Sequence, residues 1–519
     1  MNPAQHRIVD ARTSRHAETC ARWQRDPEGI GAALCAKGAL NFAPFQGASK
    51  SFKMSITHTA SEARPASGLI LLTMSLGVLI AQIDTSVVNL AVKPIGTDLK
   101  ASVTELQWIV DVYNFVYASL LLTAGTLADL YGRRRIFAFG IALFTLGTVV
   151  CGLAPDVPTL VAGRAVAGLG AALEVPASLA ILTIAYPDTK ERTRALGIWA
   201  SCYGIAIVIG PTAGGALVDA FGWRSIFLLI IPFCLVTLAL VMTVVPESSN
   251  PQGRRLDLPG QALAIVSIGS LSLAAIEGPR WGWASTGSVA AFSLSVLAAV
   301  LFLRRQAGAT DAVVPLSMLR HRVFAACLAV ATAMNFGAYA MLFLTPLYFQ
   351  TVRGASALHA AVVLLPMSLS YMVTSQLSGR IANKLGPRVP MTAGMGLMGL
   401  GLFMLALIPL NDSLVLIESG LLAMGCGLGL NVGPMNAVAV ANVPAARSGT
   451  ASGLINTARM IGATLGVAVL GAVFAMHVAE GVGTRGLATA YFVGGIGELI
   501  GAAVAFAFIR CDSLHRPAQ

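Results

Sequence analysis

The sequence predicts an all-α polytopic membrane protein, and three observations support this fold class. Of the 519 residues, 56% are hydrophobic and only 11% are charged, whereas charged residues make up about 25% of an ordinary soluble domain. The apolar residues fall in blocks of about 20, which is long enough to cross a hydrocarbon core of about 30 Å as helices. Almost all Lys and Arg residues lie between these blocks. Several soluble domains of ordinary size are therefore excluded.

The apolar blocks number fourteen, and short turns rich in Pro, Gly, Asp and Asn separate them. In chain order they cover residues 69–92, 106–128, 136–154, 158–185, 195–218, 225–245, 260–277, 286–303, 323–350, 358–382, 389–409, 414–441, 449–476 and 488–509.

The distribution of basic residues predicts the orientation of these spans. With an even number of spans, eighteen Lys and Arg residues beyond the N-terminal tail fall on the side of the termini, and six fall on the opposite side. Loops that remain in the cytoplasm carry such an excess of Lys and Arg. We therefore expect a multi-pass protein of a bacterial-type inner (cell) membrane with both termini in the cytoplasm. The net charge of +11 is explained in the same way and does not indicate a nucleic-acid partner.

The N-terminal segment 1–68 differs from the rest of the chain because it is basic and lacks helical apolar periodicity. It predicts a disordered cytoplasmic tail. Met54 begins a shorter leader of more usual length, which suggests that residues 1–53 come from an over-extended gene start. The eight cysteines form no CxxC pair, so neither a metal site nor a disulfide framework is expected.

Two sequence patterns recur at nearly the same offset. Gly125–Arg135 and Gly379–Arg388 share the pattern Gly-x-apolar-Ala-(Asp/Asn)-x-x-Gly-x-Arg and begin 254 residues apart; Gly210–Gly215 and Gly462–Gly466 begin 252 residues apart. The chain therefore reads as two related halves of six spans with two spans inserted between them, an architecture typical of secondary transporters.

This repeat predicts five segments. They are a cytoplasmic tail at 1–68, an N-terminal six-helix half at 69–245, a linker with two inserted helices at 246–322, a C-terminal six-helix half at 323–509 and a cytoplasmic tail at 510–519.

Four motifs resemble those of the major facilitator superfamily. Gly125–Arg135 looks like its cytoplasmic loop motif, although Leu130 replaces the usual basic residue, and Leu160–Ala172 resembles its fourth-helix motif. Gly204–Gly215 resembles the G-P-x-x-G-G motif of antiporters, and Ile83–Ala91 is similar to a first-helix motif of drug:proton antiporters with fourteen helices. The resemblance covers about 69–509 and implies the major facilitator fold.

The resemblance also assigns roles to motif residues. A conformational latch is expected at the cytoplasmic loop, where Asp129 pairs with Arg133 or with the N-terminus of another helix; its residues are Gly125, Asp129, Gly132, Arg133 and Arg134. Close helix approach and a bend are expected at the antiporter motif, Gly210, Pro211, Gly214 and Gly215.

Three charged residues inside spans are candidates for proton coupling. Asp84 lies among apolar neighbours in the first span, where a carboxyl group binds a proton readily. Glu174 stands where the family has an apolar residue, so we expect it to bind a proton or a cationic substrate; the alternative is an ion pair with an Arg across the bundle. Arg164 needs an acceptor, and ten residues, about 15 Å of helix, separate it from Glu174. The resemblance implies that Arg164 assists proton release.

The remaining charged residues of the spans and the substrate contacts are less well defined by the sequence. Asp111 and Glu418 are expected near the outer interface and solvated, and Glu498 deeper in the last span. Arg459 is either a counterpart of Arg164 or a structural residue bonded to backbone carbonyls. The side chains expected to line a cavity for flat or cationic lipophiles are Trp108, Tyr113, Tyr203, Asn335, Tyr339 and Arg459.

The sequence thus predicts a proton-driven exporter of lipophilic or cationic drugs, monomeric and without a cofactor. No phosphate-binding loop, H-E-x-x-H motif or G-x-S-x-G motif occurs, which argues against ATP use by the chain itself and against an enzyme. Two alternatives remain: a proton-coupled transporter of one dedicated metabolite, and a sensor that keeps the transporter fold without transport.

Overall fold

A computed structural model of the chain describes residues 65–250, 256–308, 316–408, 413–443, 448–479 and 483–510. The predicted cytoplasmic tails lie almost wholly outside these residues, as does the proposed alternative start at Met54.

The described residues form helices throughout. The first six are α1 (Pro65–Asp98), α2 (Val103–Tyr131), α3 (Arg133–Leu153), α4 (Val157–Ala185), α5 (Thr189–Phe221) and α6 (Ser225–Val244). An inserted pair follows, α7 (Leu258–Trp281) and α8 (Thr286–Gly308). The remaining helices are α9 (Leu316–Leu319), α10 (Arg322–Thr351), α11 (Ala357–Val363), α12 (Leu365–Leu385), α13 (Arg388–Ala406), α14 (Leu414–Ala441), α15 (Ser448–Ala479) and α16 (Gly483–Phe508).

Polar residues start several of these helices by satisfying free backbone N–H groups. Ser102 and Glu105 form a reciprocal capping box at the start of α2. Asp156 Oδ1 accepts a hydrogen bond of 2.9 Å from the N–H of Thr159 at the start of α4. Gly132 adopts a φ of +104° between α2 and α3, a conformation that glycine adopts without steric cost.

Within the described residues, thirteen spans are long and apolar enough to cross a membrane, with α11 and α12 counted as one. Helix α2 is the fourteenth span; it bends by 56° between Leu121 and Thr123. At the bend, the side-chain amide of Gln261 of α7 donates to the carbonyl of Ser119 and accepts from the hydroxyl of Thr123. A side chain that enters the helical hydrogen-bond ladder is a known cause of helix bending. The predicted fourteen-helix membrane fold is confirmed.

The two six-helix halves repeat the same packing. In the first half, Gly210 and Gly214 of α5 contact α1, where a Cβ atom on either glycine would meet Ser86 or Val87. In the second half, Gly462 and Gly466 of α15 contact α10 in the same way, at the carbonyls of Thr332 and Phe336. The repeat seen in the sequence therefore corresponds to helices in equivalent positions.

Direct hydrogen bonds join the halves at the end of the bundle opposite the basic loops. Asp219, near the end of α5, accepts bonds of 2.9 and 3.0 Å from the N–H groups of Ala357 and Leu358 at the start of α11. Lys93 of α1 donates to the carbonyl of Gln350 at the end of α10. Near this end, Gln107 of α2 donates to the carbonyl of Val467 in α15 at 3.0 Å. The halves thus touch through their helix ends.

The inserted helices α7 and α8 form a hairpin, and hydrogen bonds join its two helices. Asp257, which caps α7, accepts from Arg305 at 2.6 Å and from Gln306 at 2.7 Å, both of α8. Burial by itself raises the pKa of Asp257, but these bonds and the N–H of Gly260 outweigh it and hold the pKa below its ordinary value. The hairpin is therefore closed by a carboxylate at its base.

Candidate functional site

A buried ion pair joins α1 to α4. Arg164 Nη1 lies 2.5 Å from Asp84 Oδ2, and both side chains are 1% exposed. Arg164 Nε donates to the carbonyl of Ile109 at 3.2 Å, and the guanidinium lies 4.3 Å from the centre of the Tyr113 ring. The charge of Arg164 is therefore matched by a carboxylate, a carbonyl and an aromatic face. This is the arrangement in which a buried arginine is tolerated.

Glu174 lies in the same half, on α4, and is fully buried. Neither of its carboxyl oxygens has a hydrogen-bond partner among the described residues, so no arginine pairs with it there. A buried, uncompensated charge is costly. Of the two alternatives that the sequence left open for Glu174, the geometry favours a protonated acid over an ion pair.

Two further buried carboxyl groups lie outside this cluster. Asp111 of α2 is 0% exposed, with Thr464 of α15 as its polar neighbour. The expectation that Asp111 is solvated near the outer interface is therefore wrong, because α15 covers that face of α2. Glu498 of α16 is also fully buried, and its carboxyl group packs against Gly337 of α10, where no side chain fills the space.

A narrow cavity, the central cavity, lies where α1 and α2 meet α10 and α15. Its volume is about 20 Å³, room for about one water molecule. Tyr113, Tyr339 and Arg459, three of the predicted cavity residues, line it. The sequence analysis missed four further polar residues of its lining: Gln82, Thr85, Asn114 and Asn456. The helical spacing of Gln82 and Thr85 in the first span was a usable signal for two of them.

The other predicted cavity residues lie elsewhere. Trp108 donates a 2.9 Å hydrogen bond to Glu277 of α7 and so contacts the inserted hairpin. Asn335 is 1% exposed within α10, and its Nδ2 has no partner among the described residues. The side chain of Tyr203 is outside the described part of the chain. A larger groove of about 590 Å³ lies between α13 and α16, but its lining is almost entirely apolar and includes none of the buried charged residues.

The glycines of the antiporter motif bring α5 against both halves. Gly210 and Gly214 allow α5 to approach α1 at Ser86 and Val87, two and three residues after Asp84. Gly215 instead faces the second half, where a Cβ atom would lie 2.8 Å from the carbonyl oxygen of Ala357 and from Cα of Leu358. Pro211 is buried in the same stretch of helix. The motif thus connects the Asp84 segment to the interface between the halves.

Gly215→Ala is expected to favour conformations in which the halves separate at this end. The added methyl group overlaps the backbone of α11, and overpacking of this kind costs about 1–3 kcal/mol only while the halves touch. Alkylation of a cysteine placed at Asn89, which is 4% exposed, should become faster in a background without the native cysteines.

Gly204→Ala provides the matched control, because a Cβ atom there meets nothing within 4 Å. Equal alkylation rates in the two variants would show that Gly215 does not hold this contact.

The loop between α2 and α3 is fixed by an ion pair and by the segment after α6. Arg133 donates to Asp129 Oδ1 through Nε at 2.9 Å and Nη2 at 2.7 Å. The backbone of Asp129 and Arg133 bonds to that of Asn250 and Ser248. Gly125 lies beside Pro176 of α4. The sequence left two partners open for Asp129, Arg133 and the N-terminus of another helix, and the structure shows the ion pair with Arg133.

Glu247 is a member of this cluster that the sequence analysis missed. Its two carboxyl oxygens accept 3.2 Å bonds from the N–H groups of Arg134 and Arg135 at the start of α3. Free N–H groups and the helix dipole favour a negative charge at this position. Because Glu247 lies more than one hundred residues from the motif along the chain, the sequence gave no indication that it belongs to this cluster.

Glu247→Gln is expected to lower the free energy of unfolding by about 0.3–1 kcal/mol at low ionic strength, because the charge at the helix N-terminus is lost. Thermal unfolding of the purified protein in detergent measures the effect. The difference from wild type should shrink at high salt; a difference that is independent of salt would exclude an electrostatic origin.

Comparison with known proteins gives the family. The model of the Major Facilitator Superfamily matches residues 74–467. The chain belongs to the major facilitator superfamily. This family consists of transporters, and the superfamily assignment made from the sequence motifs is confirmed.

Relatives in the superfamily include drug-resistance proteins. Multidrug resistance protein Stp of Mycobacterium tuberculosis is 40% identical over 78% of this chain and 76% of its own length. The methylenomycin A resistance protein of Streptomyces coelicolor is 32% identical over 85% and 92%. The multidrug efflux pump LfrA of Mycolicibacterium smegmatis is 31% identical over 84% and 86%.

Solved structures agree on the fold. The chain is similar to an inward-facing bacterial homologue of the human lysosomal transporter Spinster, with a TM-score of 0.62 and 20% identity over 86% of this chain and 97% of that one. It is equally similar to a D-xylose–proton symporter, with a TM-score of 0.62 and 17% identity over 87% and 99%. At these identities the likeness establishes the major facilitator fold alone.

Proposed function

We propose that this protein exports lipophilic drugs from the cytoplasm in exchange for protons. The observation that carries the proposal is the buried Asp84–Arg164 pair together with the buried Glu174, which lies on the same helix as Arg164 and has no hydrogen-bond partner among the described residues. Ionisable groups are rare within membrane spans and typically mark proton or substrate sites. The names of the relatives, which are drug-resistance and efflux proteins, support drugs as the substrate class.

The two carboxyl groups have different roles in this scheme. Glu174 binds a proton in this conformation, because a carboxylate without donors is unstable in the interior. Asp84 forms an ion pair with Arg164 at 2.5 Å. Protonation of Asp84 from outside breaks this pair and frees Arg164, whose positive charge then favours proton loss from Glu174 when water reaches it from the cytoplasm.

Contacts between the halves support alternating access. They are hydrogen-bonded at the end opposite the basic loops, and the positive-inside rule places that end outside the cell. We propose that residues 69–245 and 323–509 rock about the central cavity and alternately expose it to the two sides. The loop cluster around Asp129 and Arg133 stabilises one of these conformations. The chain acts as a monomer in the bacterial inner membrane with both termini in the cytoplasm.

Transport assays test the proposal directly. Cells of a pump-deficient bacterium that express the chain should tolerate higher concentrations of several lipophilic drugs than cells with the empty vector. Everted vesicles from them should accumulate drug when a pH gradient is imposed, and should lose it when the gradient is collapsed. Accumulation in the opposite direction would indicate an uptake symporter, and no flux of any drug would indicate a sensor.

A further inference from the structure

The central cavity carries one charged residue among those that line it in the described part of the chain. That residue is Arg459 of α15, and its neighbours are tyrosines and amides, including Tyr113, Tyr117, Tyr339, Asn114 and Asn456. An acidic side chain is not among the lining residues. If this cavity is the substrate site, as the proposed function requires, its charge restricts the substrates that bind there.

Arg459 differs from Arg164 because the described residues include no partner that compensates its charge. Its described hydrogen bond is a long one of 3.4 Å to Asn456 Oδ1, and its Nε is buried with no partner among the described residues. It forms no described ion pair, whereas Arg164 lies 2.5 Å from Asp84. The described bonds also do not include backbone carbonyls, so the structural role considered from the sequence lacks support. An intramembrane arginine of this kind lacks the acceptor that usually accompanies it.

The acidic groups nearby do not supply the missing charge. Asp84 is compensated by Arg164, and Glu174 is protonated in the proposed mechanism. Tyr339, which lines the cavity together with Arg459, is a neutral polar group. The cavity therefore presents a positive charge and several hydrogen-bond donors.

We infer that the substrate carries an acidic group, such as a carboxylate, sulfonate or phenolate, on an aromatic frame, and that Arg459 is its partner. A planar guanidinium binds such oxyanions through paired hydrogen bonds. The surrounding tyrosine rings suit the aromatic part. The present volume of about 20 Å³ admits the substrate only after α1 and α2 separate from α10 and α15. This inference rests on the proposed function. The sequence predicted lipophilic or cationic drugs as substrates, and the charge of Arg459 argues against the cationic ones.

A matched set of dyes tests the inference. 8-Anilinonaphthalene-1-sulfonate is the acidic probe, N-phenyl-1-naphthylamine has the same rings without the sulfonate, and ethidium is a cationic probe. Accumulation in everted vesicles under an imposed pH gradient is measured after filtration and extraction, and the part abolished by an uncoupler is compared. The proteins are wild type, Arg459→Gln, Arg459→Lys and, as a charge-matched control at an exposed position of α16, Arg485→Gln.

We expect wild type to transport the sulfonate in preference to ethidium. Arg459→Gln should lower sulfonate transport about tenfold or more, equivalent to the loss of one charge-assisted contact, and change transport of the neutral amine less than twofold. Arg459→Lys should retain part of the sulfonate transport, and Arg485→Gln should resemble wild type. Preference of wild type for ethidium, or equal loss of all probes in both Arg459 variants, would overturn the inference.

Binding to the purified proteins separates this inference from the proposed function. If wild type binds the sulfonate more tightly than Arg459→Gln does but moves no probe under any gradient, the substrate class stands and drug export fails. If wild type exports drugs while its affinity for the sulfonate is the same as that of Arg459→Gln, export stands and the role of Arg459 fails.

Discussion

Asp84→Asn is expected to abolish drug export and to lower the free energy of unfolding by about 3–5 kcal/mol. The loss of stability follows because Arg164, which is 1% exposed, keeps its charge while its carboxylate partner 2.5 Å away is removed. The loss of export follows because Asn binds no proton. A drug-susceptibility panel in a pump-deficient bacterium measures the first effect, and thermal unfolding in detergent measures the second.

The double variant Asp84→Asn/Arg164→Gln separates these two effects. Removing both charges eliminates the unpaired ion, so stability should recover to within about 1–2 kcal/mol of wild type. Export should remain absent, because neither a proton-binding group nor the arginine is present. Susceptibility profiles of Asp84→Asn that match wild type would contradict proton coupling through Asp84. Recovery of export in the double variant would show that Asp84 acts only by stabilising the fold.

Glu174→Gln is the second change with a large expected effect. Unlike Asp84→Asn, it should leave the stability of the fold unchanged while abolishing transport driven by a pH gradient. Gln has the shape of a protonated glutamic acid and is likewise a neutral polar group, so the fold should be about as stable as wild type. Uptake into everted vesicles driven by a pH gradient should fall to the level of the empty vector. Exchange of labelled for unlabelled drug, which needs no net proton movement, should continue.

The matched control for Glu174 is Glu418→Gln, because Glu418 is only half-buried in α14 and is available to water. This variant should keep the pH-gradient response of wild type. Full gradient-driven transport by Glu174→Gln would exclude Glu174 as the proton carrier. Loss of the exchange reaction as well would indicate a substrate contact instead.

The pairing of charges illustrates how far the sequence alone reaches. Asp84 and Arg164 were each recognisable as charged residues inside spans, yet their partnership was not, because 80 residues and two helices separate them. The sequence compared Arg164 with Glu174 on the same helix, where a distance of about 15 Å follows from helical rise. The partner of Arg164 came instead from α1, and only the packing of α1 against α4 decides that.

For other residues too, burial depends on tertiary contacts that the sequence does not reveal. Asp111 was expected to be solvated from its position along the second span, but α15 of the other half covers it. Trp108 was expected in the cavity but donates to Glu277 of the inserted hairpin. Position along a span predicts depth in the membrane; the face of the helix that another helix covers depends on tertiary contacts.

The sequence by itself determined that the chain crosses a membrane fourteen times as two repeated halves with an insert, and that it belongs to the major facilitator superfamily. These features were readable because the bilayer imposes a fixed apolar length on each helix and because the repeat and the loop motif are local patterns. The tertiary structure alone decided which buried charges are paired among the described residues, and that no acid lies with Arg459 among the described residues that line the cavity. Compensation of a charge in a low-dielectric interior depends on atoms within a few ångströms, and those atoms come from helices that are distant in the sequence.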